Sequence, residues 1–136
     1  TIPKGIWLRS VDGPRFTTIF GNEQGRCVTI THSNAVVSGF TITGGRSGFG
    51  GGVNMPAGSL IESCIVSNNG IYEHTASGGW SEGGGIYGGR ARNCLIISNF
   101  VDIWGTDRTP TCGAASRGGG AAHCTLENCT VVGNWT

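Results

Sequence analysis

Three observations predict an all-β protein built from repeated coils. Strand-favouring residues are abundant, with twelve Ile, nine Val and fourteen Thr, whereas Leu, Met, Lys, Gln and Glu together number twelve among 136 residues. Glycine accounts for 26 residues, so turns should interrupt short strands. A glycine run followed by a short apolar motif recurs along the chain, and such a repeat is typical of a solenoid.

The repeat occurs in full three times and in weaker form twice. The full copies join a glycine triplet to a cysteine motif, and they are Gly50–Gly52 with Glu62–Asn69, Gly83–Gly85 with Arg92–Asn99, and Gly118–Gly120 with Glu127–Asn134. Ser38–Gly45 is a copy with Phe40 at the cysteine position, and Arg15–Gly21 is a degenerate copy. Positions 16, 40, 64, 94 and 129 then align. The extra residues fall at 70–82 and 100–117, which we expect to form two long side loops.

Aligned copies show columns of alternating character. The inward columns are Val37, Ile61, Ala91 and Leu126, then Phe40, Cys64, Cys94 and Cys129, then Ile42, Val66, Ile96 and Val131. Alternation of inward apolar and outward mixed residues is the period of a strand. Further strands are expected at Val28–Ile30, Val53–Met55, Ile86–Tyr87 and Ala121–Ala122. The sequence thus predicts one parallel β-solenoid domain of about five coils over residues 1–136.

A further column of the aligned copies is polar. Asn69, Asn99 and Asn134 end the cysteine motifs, and stacked side-chain amides can hydrogen-bond to one another and to the backbone of turns. We therefore expect a structural asparagine ladder beside the column of Phe40 and the three cysteines.

This pattern resembles the right-handed parallel β-helix of the pectate-lyase-like superfamily. More narrowly, it is similar to the glycine-rich β-helix repeats of large secreted or surface bacterial proteins. Residues 5–14, 17–19 and 36–42 are similar to the first coils of such proteins. The resemblance implies a right-handed solenoid and an extracellular or cell-surface location, but the scaffold carries many functions.

The catalytic constellations that this resemblance suggests are absent from the sequence. Lyases of the superfamily use an acidic calcium cluster beside a basic residue, whereas this chain has three Asp, no acidic pair on adjacent strands, and one lysine, Lys4. Without paired carboxylates, an acid/base couple for glycosidic cleavage is missing. The sequence therefore favours a non-catalytic protein.

Charge and composition exclude other classes. The net charge is +1 and no Lys/Arg cluster occurs, so a nucleic-acid partner is not expected. No apolar run is long enough for a membrane span. Six cysteines lack paired spacing and three histidines lack ligating neighbours, so neither a metal nor a cofactor is predicted. Structural roles are expected for His32 and His123.

The two insertions hold the candidate ligand-binding residues, because function is commonly placed on loops. They are Tyr72, His74, Trp80 and Glu82 in the first insertion, and Trp104, Asp107 and Arg108 in the second. We expect Trp80 and Trp104 to cover the side of the solenoid. The alternative is that both insertions leave the same edge and form a sugar-binding platform.

Five of the six cysteines fall into two groups, and Cys27 has no clear partner. Cys64, Cys94 and Cys129 belong to an inward column, where a thiol packs as a small apolar group. Cys112 and Cys124 flank the last glycine triplet and are the candidate disulfide, linking the second insertion to the rod.

Two functional hypotheses follow. The first is a structural or adhesive rod of a secreted or surface protein, either a segment of a longer solenoid or a subunit that stacks head to tail into filaments through its open strand edges. The alternative is a carbohydrate-binding or polysaccharide-active β-helix whose catalytic residues lie outside this chain.

Overall fold

The computed structural model describes residues 1–74, 80–104 and 115–136. These residues contain eighteen short strands and no helix, which confirms the all-β prediction. In chain order the strands are β1 Trp7–Arg9, β2 Thr18–Phe20, β3 Val28–Thr29, β4 Val36–Ser38, β5 Thr41–Thr43, β6 Val53–Asn54, β7 Leu60–Glu62, β8 Ile65–Ser67, β9 Gly70–His74, β10 Trp80–Glu82, β11 Ile86–Tyr87, β12 Arg90–Arg92, β13 Leu95–Ile97, β14 Phe100–Trp104, β15 Ala115–Arg117, β16 Ala121–Ala122, β17 Thr125–Glu127 and β18 Thr130–Val132.

The strands form stacked parallel sheets. The first sheet has the order β1-β4-β7-β12-β17, the second β2-β5-β8-β13-β18, and the third β3-β6-β11-β16. Successive strands of the chain pass from one sheet to the next, and each sheet adds one strand per repeat. This arrangement is consistent with a β-solenoid.

The pairing register follows the columns of the sequence. Ile61 pairs with both Val37 and Ala91, and Ala91 pairs with Leu126, so the first inward column lies in one sheet. Val37, Ile61 and Ala91 are fully buried, as are Ile42, Val66 and Ile96 of the second sheet. Leu126 and Val131, on the outermost strands, remain 41% and 48% exposed.

The first repeat corrects the sequence alignment by one residue. Thr18 pairs with Thr41 and Ile19 with Ile42, so Thr17 rather than Phe16 takes the position of Phe40. Phe16 is 81% exposed. A shift of one residue would turn Ile19 outward and Thr18 inward, and burial of the apolar side chain therefore fixes the register.

Left-handed backbone conformations form the corners between sheets. Gly39, Ser63, Asn93 and Asn128 separate the first and second sheets and have φ angles of 79°, 52°, 54° and 52°. Asparagine tolerates this region better than most residues because its side chain can bond to its own backbone. Gly50, Gly83 and Gly118, the first residues of the triplets, have φ angles of 66°, 68° and 62°. These residues turn the chain between strands of different sheets.

Candidate functional site

The two insertions lie side by side. β9 pairs with β14 from Gly70↔Phe100 to His74↔Trp104, and β10 pairs with β15 from Trp80↔Ala115 to Glu82↔Arg117. The described parts of both insertions are thus strands, where the sequence led us to expect loops. Burial explains this difference: Ile71 and Val101 are each 1% exposed, and pairing satisfies the backbone groups that burial removes from water.

The asparagine ladder underlies this side of the protein. The side-chain amide of Asn69 donates to the Ile42 carbonyl at 2.9 Å and to Asn99 Oδ1 at 3.0 Å. The side-chain amide of Asn99 likewise donates to the Val66 carbonyl and to Asn134 Oδ1, both at 2.9 Å. Backbone amides of Gly45, Asn69 and Asn99 donate to the next side-chain oxygen at 2.9, 3.1 and 2.9 Å. Asn69 and Asn99 are fully buried and fully hydrogen-bonded.

The residue after each ladder position belongs to a further column. Arg46 bridges to Gly70, Gly70 pairs with Phe100, and Phe100 bridges to Trp135. The Phe100 ring occupies the space above Gly70, where a Cβ atom would lie 2.5 Å from ring carbons. We call Arg46, Tyr72, Phe100 and Trp135 the aromatic stripe.

The rings of the aromatic stripe contact one another closely. The Phe100 and Trp135 centroids are 5.1 Å apart with planes 13° apart, and the Tyr72 and Phe100 centroids are 4.7 Å apart. The Arg46 guanidinium carbon lies 4.9 Å from the Phe100 centroid and 5.5 Å from the Tyr72 centroid. Tyr72 is 57% exposed and Trp135 is 50% exposed, whereas Phe100 is buried. The stripe therefore offers aromatic surface on both sides of Phe100.

Arg46 is held firmly beside these rings. One terminal nitrogen lies 3.0 Å from Glu23 Oε1, and the other donates to the Gly45 and Asn68 carbonyls, both at 3.0 Å. An open cleft of about 320 Å³ adjoins it, lined by Glu23, Arg46, Ser47, Gly48, Ile71 and Tyr72. An exposed aromatic ring can stack on the apolar face of a sugar ring. A neighbouring guanidinium or carboxylate can hydrogen-bond to the hydroxyl groups of the same sugar.

Glu82 forms a separate cluster. Its side chain is only 7% exposed, with Oε2 at 2.7 Å from His123 Nε2 and Oε1 at 3.8 Å from Arg117 Nη1. The Tyr87 ring lies 5.3 Å from the His123 ring and 5.2 Å from the Phe49 ring. The imidazole and guanidinium that face the carboxylate offset the cost of burying it. His123, for which the sequence predicts a structural role, thus has a buried acidic partner.

The predicted ligand-binding residues do not all meet. Tyr72 belongs to the aromatic stripe, whereas Glu82 contacts His123 and Arg117. Trp80 is 65% exposed, and the expectation that Trp80 and Trp104 cover this side stays a prediction. His74 and Trp104 are paired in register, and their side chains lie outside the described part. Asp107 and Arg108 also lie outside the described residues.

The cysteine column packs as predicted for small apolar groups. Cys64 and Cys94 are 1% and 3% exposed, Phe40 is 8% exposed, and Cys129 is half-buried. A hydrogen bond with the Cys64 thiol, and then burial, raises the pKa of Cys94. Burial raises the pKa of the Cys124 thiol to about 11. A raised pKa lowers the fraction of thiolate, which is the nucleophilic form, at both positions.

The Cys112–Cys124 bond stays a prediction. Cys124 carries a free thiol in the structure, and Cys112 lies outside the described residues.

The described residues show neither a metal cluster nor a membrane-spanning helix. Within the described ranges, no three His, Cys, Asp or Glu side chains are grouped so that they could hold a metal ion. The same ranges form no apolar helix of membrane-spanning length. Comparison with protein-family models, curated proteins and solved structures found no significant match for this chain.

Sequence reasoning missed most of the aromatic stripe. Arg46, Phe100 and Trp135 each follow a ladder position, and aligning that position would have placed them in one column. Glu82 and Arg117 each directly precede a glycine triplet, so aligning that position would also have paired them, whereas the contact of His123 with Glu82 has no comparable signal.

Proposed function

We propose that this chain is a stretch of right-handed parallel β-helix that serves as a non-catalytic structural or adhesive rod of a secreted or surface bacterial protein. The observation that carries the proposal is the buried asparagine ladder. It links successive repeats by hydrogen bonds that leave no amide group of Asn69 or Asn99 without a partner. A fully satisfied polar network of this kind rigidifies a core and specifies one register.

Glu82 is the strongest described candidate for a catalytic residue, and its surroundings do not favour catalysis. Glu82 is directed at His123 and Arg117, which offset its charge, and its side chain is nearly inaccessible to a substrate. Cleavage of a glycosidic bond needs a pair of carboxyl groups flanking the bond. The groups that contact Glu82 are cationic or neutral instead.

An activity screen tests the non-catalytic proposal. We expect that the chain, incubated with a panel of neutral and acidic polysaccharides, yields no new reducing ends and no unsaturated products. Glu82→Gln, which keeps the size of the side chain, serves as the matched control. Product formation that is present in the wild type and lost in Glu82→Gln would overturn the proposal.

Carbohydrate binding is the second candidate function, and the aromatic stripe favours it. In this alternative the chain is a carbohydrate-binding part of a polysaccharide-active β-helix whose catalytic residues lie outside it. The exposed rings of Tyr72 and Trp135 would stack on sugar rings, while Arg46 and Glu23 would bond to hydroxyls. This site differs from the platform of the two insertions, with Trp80 and Trp104, that the sequence offered as an alternative.

A glycan-array measurement tests this second candidate. If the stripe binds sugar, Trp135→Ala should weaken the affinity about tenfold, because a stacked aromatic ring contributes about 1 kcal/mol beyond its buried area. Trp7→Ala is the control, since Trp7 is a similarly exposed tryptophan on β1. Equal losses in the two variants, or no binding by the wild type, would exclude the stripe as a glycan site.

A further inference from the structure

The strands of the first insertion extend beyond the segment of the preceding repeat that pairs with them. That segment comprises residues 46–49, between β5 and β6, and it bridges to Gly70 and to Glu82. β9 continues from Gly70 to His74, and β10 begins at Trp80, before Glu82. In the described part of the chain, β9 has β14 as its partner strand and β10 has β15. The opposite edge of β9 and β10, which we call the open edge, therefore continues past residues 46–49.

The hydrogen bonds of Gly70 show which backbone groups of β9 face the open edge. The Gly70 amide donates to the Gly45 carbonyl at 3.0 Å, and the Gly70 carbonyl accepts from the Ser47 amide at 3.3 Å. In a parallel sheet both backbone groups of a residue face the same neighbouring strand, and this side alternates along the chain. The N–H and C=O groups of Tyr72 and His74 therefore face the open edge. Among the described residues, no backbone group bonds to those of Tyr72 on this side.

β10 contributes to the open edge in the same way. The Glu82 amide donates to the Gly48 carbonyl at 3.2 Å, and the Glu82 carbonyl accepts from the Gly50 amide at 3.1 Å. By the same alternation, the N–H and C=O groups of Trp80 face the open edge. Such backbone groups along an edge are a template for a further strand. This edge belongs to an interior repeat of the stack.

The open edge of β9 borders a cleft that gives an extended strand room. The cleft has a volume of about 320 Å³, and its described lining includes Ile71 and Tyr72 of β9 and Ser47 and Gly48 of the shorter segment. The Tyr72 side chain is 57% exposed. A side chain of an added strand would pack on the Tyr72 ring, as neighbouring side chains of paired strands do.

Charge selects the occupant of this cleft. Arg46 and Glu23 are the charged residues of its described lining, and their side chains already pair with each other at 3.0 Å, which favours an uncharged occupant. A second copy of this chain is a poorer occupant. Antiparallel pairing of two open edges, with Tyr72 of each copy opposite His74 of the other, would place the two Glu73 residues directly opposite each other. Like charges at such positions are destabilising.

We propose that the open edge of β9 takes up an extended, uncharged segment of a partner polypeptide as an added parallel strand, with a β-branched or aromatic residue packed on Tyr72. The Tyr72 N–H donates to a backbone carbonyl of the partner, and the Tyr72 carbonyl accepts from a backbone amide of the partner. In this mode of recognition the backbone bonds supply affinity and the side chains supply specificity. The inference goes beyond the rod function and does not depend on it. It assigns to the cleft an occupant other than the sugar of the second candidate function.

A short synthetic peptide tests the proposal from the side of the partner. The probe is Thr-Val-Tyr-Val-Thr with an acetylated and an amidated end, which is uncharged and favours a strand. In a nuclear magnetic resonance titration of the whole chain, we expect the peptide to shift the amide signal of Tyr72 and to protect this amide from hydrogen exchange. The matched control is the same peptide with N-methyl groups on both valines. It keeps the side chains but loses the donor that this register uses, so it should not bind.

Two variants of Tyr72 test the proposal from the side of the chain. Tyr72→Pro removes the N–H group that faces the open edge and no hydrogen bond between β9 and β14, and proline is tolerated at such positions of an edge strand. Tyr72→Ala, which also removes the ring but keeps the N–H group, is the matched control. Tyr72→Pro should bind the peptide about tenfold more weakly than Tyr72→Ala, because one backbone hydrogen bond to the peptide is lost. The N-methylated peptide gives an independent test if Tyr72→Pro does not fold.

Three results would overturn the proposal. They are a wild-type chain that does not bind the peptide up to millimolar concentration, equal binding of the methylated and unmethylated peptides, and equal binding of the peptide by folded Tyr72→Pro and Tyr72→Ala. A neutral oligosaccharide that shifts the Tyr72 signal where the peptide does not would also overturn it and assign the cleft to the second candidate function. None of these results bears on the polysaccharide screen, so failure of the strand site and failure of the rod function are distinguishable.

Discussion

Gly85→Ala is expected to lower the free energy of unfolding by about 3 kcal/mol. Gly85 lies between stacked strands, where a Cβ atom would stand 2.5 Å from the Gly120 carbonyl oxygen and 2.8 Å from Asn99 Cγ. Neither neighbour can retreat easily, because strand pairing holds the Gly120 backbone and the ladder holds the Asn99 amide. Gly52 and Gly120 contact Asn69 and Asn134 in the same way, so each repeat interlocks a glycine with an asparagine.

Gly25→Ala is the matched control for this prediction. A Cβ atom on Gly25 meets no atom within 4 Å, and its φ is not in the left-handed region. Thermal unfolding followed by circular dichroism should show a midpoint lower by about 10 °C for Gly85→Ala and nearly unchanged for Gly25→Ala. Similar midpoints for the two variants would contradict the interlocked packing.

Cys94→Asp is expected to cost about 4 kcal/mol or more at neutral pH, and it should leave much of the chain unfolded. Cys94 is 3% exposed, and its thiol donates to the carbonyls of Arg92 at 3.2 Å and Ile61 at 3.7 Å. A carboxylate at this position cannot donate to those oxygens and would be an unpaired buried charge.

The pH dependence of the stability of Cys94→Asp separates the effect of the buried charge from the effect of the altered side-chain shape. Burial raises the pKa of the introduced carboxyl above its value in the unfolded chain, so the folded state binds the proton more tightly. The deficit in the free energy of unfolding should therefore shrink as the pH falls towards 4. Cys94→Asn, of the same size but uncharged, should show a deficit that does not change with pH. A pH-independent deficit in Cys94→Asp would place residue 94 in contact with water.

The repeat predicted the pairing of the inward columns because stacking brings like positions together. Val37, Ile61, Ala91 and Leu126 are paired as the alignment requires, and each small or turn-forming residue at the next corner has a positive φ. The alignment failed at Phe16, where the copy is degenerate. There the alignment matched Phe16 to Phe40 because both are aromatic. The true register is the one that buries Ile19.

The insertions were predicted less well because they carry no repeat. Their side-by-side placement follows from the parallel stacking of successive repeats, but strand formation depends on burial of Ile71 and Val101 against neighbouring elements. The aromatic stripe likewise depends on Gly70 being small enough to admit the Phe100 ring.

The sequence by itself determined the strand periodicity, the inward columns, the corner residues and the ladder positions. All of these repeat at fixed offsets within each copy, and a parallel stack turns an offset in sequence into a column in space. The tertiary structure alone decided that His123 meets Glu82 and that the Arg46 guanidinium lies over the Tyr72 ring. These contacts join residues at different offsets of different repeats, so their distances depend on sheet pairing and side-chain packing rather than on any local pattern.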